Sequence, residues 1–93
     1  MFLPIDQSCA SACQESGSAC VPEGMQFINN CKTLETFFKC KDCISSEGPD
    51  QPCQVDVAAP KQSQPGVCLV KGDTTRFNCQ GKHKLTARLC VCC

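Results

Sequence analysis

The chain predicts a small α+β domain held together by disulfides, with two short helices set against a three-stranded antiparallel sheet. Three observations lead there. Twelve of its 93 residues are cysteine, above the roughly 8–10% that marks a disulfide scaffold. The apolar supply is thin: the hydrophobic fraction is 42%, but cysteine provides much of it, and Trp and Tyr are absent. The spacing of apolar residues is helical over residues 1–44 and alternating over residues 67–93, with a polar stretch at 45–66 between them.

Ninety-three residues make one domain, and a domain this small buries a modest share of its surface. Small domains with thin cores need staples. A closed disulfide loop contributes on the order of 2–4 kcal/mol, so the cysteines can replace the missing apolar packing. Their even number predicts that all are paired: Cys9, Cys13, Cys20, Cys31, Cys40, Cys43, Cys53, Cys68, Cys79, Cys90, Cys92 and Cys93. Twelve cysteines allow on the order of 10⁴ pairings, and spacing alone does not choose among them. This composition predicts an oxidising, extracellular setting. The apolar opening Phe2-Leu-Pro-Ile5 is shorter than the roughly 7–15 residues of a secretory h-region, so secretion predicts a leader already removed.

Taken in order, Asp6 is placed to cap a helix through Cys9 and Cys13, which share one helical face, and Gly17 is placed to end it. Val21-Pro-Glu-Gly24 reads as a turn. The strongest helical pattern runs from Asn30 to Ile44, capped by Asn29 or Asn30, with Cys31, Leu34, Phe37, Phe38 and Ile44 at 3–4 residue spacing. Residues 45–66 hold four prolines and two glycines and read as a long polar loop pinned by Cys53, with Gln54–Val57 as a short edge strand. Strands are expected at Val67–Lys71, Thr74–Cys79 and Lys82–Cys92. In the last, Leu85, Ala87, Leu89 and Val91 share one face and Arg88, Cys90 and Cys92 the other. Cys92 and Cys93 are adjacent, about 3.8 Å apart at Cα, too close for the usual disulfide span of roughly 4.4–6.8 Å. Cys90, Cys92 and Cys93 should therefore draw three separate partners onto the tail.

The chemistry-bearing motifs are few. Cys40-Lys-Asp-Cys43 is the one redox-like spacing, but it falls at the end of the expected helix, where the dipole disfavours a thiolate. With ten other cysteines around it, a structural role is expected. A metal cluster needs paired knuckles or histidines, and His83 is the single histidine; no metal or other cofactor is expected. Glu47 and Asp50 are paired carboxylates in the polar loop, where hydration is expected. No G-x-S-x-G or phosphate loop occurs. The chain is read as a non-enzyme.

Net charge is zero but uneven. Residues 1–60 carry three Lys/Arg and eight Asp/Glu, and residues 61–93 carry six and one. Attraction between the two halves explains this more simply than a basic docking face, and no aromatic residues interleave the charges as a nucleic-acid surface requires. No stretch approaches the roughly 20 apolar residues of a membrane span. A monomer is expected.

Cys9-Ala-Ser-Ala-Cys13, the distant Cys31, and Leu34 to Cys40-Lys-Asp-Cys43 followed by a polar Ser/Gly stretch resemble small secreted cysteine-rich proteins of fungi, many of them effectors that serve virulence on plants. The resemblance covers the first half of the chain, which lacks the tight cysteine cluster many such proteins carry before the second helix. It implies an extracellular protein that binds or shields a host protein or polysaccharide without catalysis. It transfers no functional residues. Two further functions fit the composition: a toxin or protease inhibitor presenting residues 45–66 between Cys43, Cys53 and Cys68, and an antimicrobial protein using Lys82, Lys84 and Arg88 as a cationic face.

Overall fold

The computed structural model describes residues 6–46, 48, 50–72 and 77–93. Helix α1 (Cys9–Glu15) begins where the Ser8 hydroxyl accepts a hydrogen bond from the Ser11 amide at 3.1 Å. Ser8, not Asp6, is therefore the cap. Gly17 ends the helix in the left-handed region (φ 79°), which favours glycine. Cys9, Ala12 and Cys13 form its buried face, the i, i+3, i+4 stripe of an amphipathic helix. The expected Val21–Gly24 turn closes into a one-turn helix, α2 (Pro22–Met25), with proline at its start. That is where the missing N–H costs nothing.

Helix α3 (Cys31–Phe37) is capped by Asn30, whose side-chain oxygen accepts from the Thr33 amide at 2.8 Å. It stops seven residues short of the expected end. The cause is covalent. Cys31 bonds Cys43 with Cα atoms 5.9 Å apart, whereas a continuous helix would hold them about 18 Å apart at 1.5 Å per residue. The chain turns extended at Phe38 (φ −123°, ψ 152°) and returns as strand β1 (Cys43–Ser46), where helix and loop were expected.

Strands β2 (Cys53–Val55), β3 (Cys68–Lys71) and β4 (Thr86–Arg88) complete a four-stranded sheet in the order β1-β3-β2-β4. The α+β class is as expected, but the sheet is four-stranded and mixed, not three-stranded and antiparallel. β1 runs parallel to β3, and the other pairs are antiparallel. The segment expected at an edge, Gln54–Val57, instead supplies the inner strand β2. The expected strand at 74–79 lies partly outside the described residues, and Phe77–Cys79 is not strand. The long final strand contracts to Thr86–Arg88, with an isolated bridge between Cys92 and Cys20.

Register sorts the sheet into two faces. Cys68, Cys43 and Ala87 point into the core beside Met25, Ile28, Leu34, Phe38 and Leu89. Leu69 lies opposite Cys53, and Thr86 opposite Val55, so these residues share the other face. The Asn29 side chain fastens the core side to the end of β3. Its amide donates to the Lys71 carbonyl at 2.8 Å, and its oxygen accepts from the Lys71 amide at 2.6 Å.

Five disulfides form: Cys9–Cys90, Cys13–Cys92, Cys20–Cys79, Cys31–Cys43 and Cys40–Cys68. The expectation that all twelve cysteines pair is corrected at two positions, since buried Cys53 and exposed Cys93 are thiols. The tail thus draws two cystine partners, not three. Cys93 is held instead by reciprocal backbone hydrogen bonds with Ala19 at 2.9 and 3.1 Å. Among the described residues no helix is long and apolar enough to cross a membrane.

Candidate functional site

The Cys40–Cys43 pair is not a redox site. Each cysteine bonds elsewhere, Cys40 to Cys68 and Cys43 to Cys31, and the two bonds fix the α3–β1 reversal to the sheet. Phe38 is core, while Phe37 is partly exposed. His83 is exposed, with Nδ1 accepting from the Leu85 amide at 3.0 Å. Among the described residues no group of three or more His, Cys, Asp or Glu side chains is placed to hold a metal ion. Lys82 and Lys84 are exposed, but Arg88 is wholly buried, so the expected cationic face lacks one of its three members. The 45–66 segment is not one presented loop. The reciprocal bonds from Val55 N to Val67 O and from Gly66 N to Val55 O, both 2.9 Å, confine its projecting part to residues 56–65.

What the structure builds instead is a polar cluster behind β2 and β4. Asp50 was expected to be hydrated and is buried, at 7% exposure; its partner in that expectation, Glu47, lies outside the described residues. The Asp50 carboxylate accepts from the Thr86 hydroxyl at 2.6 Å and lies 3.6 Å from the Cys53 thiol. Arg88, beside Cys53 across the β2–β4 pair, donates from Nη1 to the Asn78 and Gly81 carbonyls at 2.6 and 2.8 Å. Its Nη2 donates to the Gln51 carbonyl at 3.2 Å. One guanidinium thus joins β4, the 78–81 turn and the Asp50–Pro52 segment.

Electrostatics favour the neutral form of the one thiol in this cluster. Burial, then the adjacent Asp50 charge and its hydrogen bond, push the Cys53 thiol far above the ordinary range, which favours the thiol over the thiolate. Burial pulls the Arg88 pKa down, opposed by Cys53 and Asp50. Arg88 Nε and Gln51 Oε1 are buried without a hydrogen-bond partner among the described residues.

A cleft of about 350 Å³ opens over the cluster on the sheet face that does not carry the helical core. All four strands contribute to it: Ser46 from β1, Leu69 from β3, Val55 from β2 and Thr86 from β4. Asp50 and Gln51 line one side, and His83 and Ser63 also reach it. Sequence reasoning missed this cleft because Asp50 and Gln51 sit in a stretch whose composition signals hydrated loop. The legible signal was the alternation of Thr86 and Arg88 on one face of the last strand.

Fold and site together define a disulfide-rich α+β domain with one sheet face on the core and the other forming a polar-rimmed cleft. No family model matches the chain. A comparison with curated proteins finds similarity to the alpha-1,6-mannosylglycoprotein 6-beta-N-acetylglucosaminyltransferase A of Cricetulus griseus, 32% identical over 87 residues. The alignment takes in 92% of this chain and 11% of that enzyme. Nearly the whole domain thus matches a small segment of a much larger protein.

Proposed function

We propose that the protein is a non-catalytic binding module of the secretory route or extracellular space, and that its partner is a glycoprotein. The observation that carries this reading is the shape of the match. A segment amounting to 11% of a glycosyltransferase corresponds to 92% of this chain, and a module reading accounts for a match of that shape. That relative acts, by its name, on a mannosylglycoprotein, which supplies the partner class. Five disulfides agree with an oxidising compartment. The side chains that could have supported catalysis are otherwise engaged: Cys53 is protonated and buried, and Asp50 is bound by Thr86. An effector that binds a host glycoprotein is the same reading in an extracellular setting.

The test combines binding with activity. The oxidised protein is passed over immobilised high-mannose glycoprotein, and separately incubated with a sugar-nucleotide donor and a mannoside acceptor. Saturable binding without transfer is expected. Transfer by the isolated chain would overturn the non-catalytic reading, and absence of binding would overturn the partner.

A further inference from the structure

We infer that the cleft across the second sheet face is a subsite for a neutral hexose unit of a glycan. This rests on the binding-module reading above and names the surface that does the binding. The floor is aliphatic, with Val55, Leu69 and Leu85 offering a platform for the C–H face of a pyranose ring. The lining also includes Asp50 and Gln51, whose side chains carry acceptor oxygens of the kind that take sugar hydroxyls, although one Asp50 oxygen is already engaged by Thr86 and Cys53. Gln51 is 2% exposed, and its Oε1 lacks a partner among the described residues. A buried acceptor left unpaired is costly, and a turn of the Gln51 side chain toward the cleft it lines lets a ligand hydroxyl remove that cost.

Charge argues for neutrality. The Asp50 carboxylate at the wall repels an anion, and Arg88, buried behind it and donating to the Gln51 carbonyl, offsets the attraction for a cation. The volume of about 350 Å³ lies at the lower end of small-molecule sites, suited to one ring and its substituents. Each of the four strands supplies one lining residue, and Asp50, Gln51, Ser63, His83 and Leu85 come from the connections between them.

The experiment uses the whole oxidised chain, labelled with ¹⁵N and titrated with methyl α-mannopyranoside, diacetylchitobiose and glucuronate. The two neutral probes should give saturable amide shifts at Gln51, Val55, Leu69 and Leu85, with Kd values around the millimolar range. Glucuronate should bind more weakly than either. Ser63→Trp, which places a ring at the mouth from a short surface turn, should weaken the neutral probe at least tenfold while the remaining spectrum keeps its dispersion. Because the wild-type map decides the matter alone, a misfolded variant would not rescue the inference. No saturable shift, shifts on another face, or equal affinity for glucuronate would each overturn it. Glycoprotein binding without cleft shifts sinks the subsite and leaves the module reading standing; loss of both sinks the two together.

Discussion

Replacing Arg88 tests whether the second sheet face is organised by one buried cation. Arg88→Met keeps most of the stem and removes the guanidinium, which leaves the carbonyls of Asn78, Gly81 and Gln51 without their donor. Hydrogen bonds to a charged group contribute roughly 1.5–3 kcal/mol each, so three represent a gross loss of about 4.5–9 kcal/mol. Relief from burying a full charge offsets part of that, and breaking a buried charged network typically costs about 3–5 kcal/mol net. We expect a loss in that range, read as a lower midpoint in guanidinium chloride unfolding without reductant. Arg88→Lys should fall between the two, since an ammonium lacks the planar fork that reaches both directions. A loss under about 1 kcal/mol for Arg88→Met would refute the reasoning. It would mean that water replaces the guanidinium at all three carbonyls and that the cleft wall needs no internal cation.

The thiol count is also decisive. Without reductant, alkylation should add one label to the native protein, at exposed Cys93, and a second only on unfolding, at Cys53; intact mass reads both. The raised Cys53 pKa carries a sign. Folding favours the neutral thiol, so its contribution is intact below the unfolded thiol pKa of about 8.5 and declines above it by about 1.4 kcal/mol per pH unit; Cys53→Ala should flatten that alkaline limb in short-exposure unfolding measurements. Deleting Cys13–Cys92 as an alanine pair should cost only about 2.5 kcal/mol in loop entropy. Cys9–Cys90 leaves a residual ring of about eight residues, whereas an isolated loop of this span would give about 4.5 kcal/mol. Gly24→Ala would set a methyl 2.9 Å from Val91 Cγ1, an overpacking of about 1–3 kcal/mol that Val91→Ala should largely restore.

The parts of this fold that could be read from sequence are those encoded by near neighbours. Asn30 and Gly17 mark helix ends through their own side-chain and backbone chemistry. The four-residue spacing of Cys9 and Cys13 puts both on the buried face of α1, as expected. Their partners, Cys90 and Cys92, were not legible; the matching advance of about 6–7 Å along the helix and the extended tail is visible only once the pairs are known. What was illegible depends on distant partners. The apolar period that carried helix α3 on to Ile44 is genuine, but the Cys31–Cys43 bond overrides it. β2 became an inner strand because β3 and β4, 13 or more residues downstream, flank it. Asp50 and Arg88 are hydrophilic by composition and buried by the strands that close around them, so the candidate cleft stayed hidden.

The paired Cys9–Cys90 and Cys13–Cys92 bonds have a mechanical meaning. Tension applied at the two ends of the domain enters at residue 9 and leaves at residue 92, shared between two sulfur–sulfur links that cross in sequence. The segment from residue 13 to residue 90 carries no load. Roughly 250–280 Å of contour length, at about 3.3–3.6 Å per residue, is therefore unavailable to stretching. Pulled from both sides, the oxidised domain behaves as a short inextensible shackle, and it lengthens only after a reductant has opened both links.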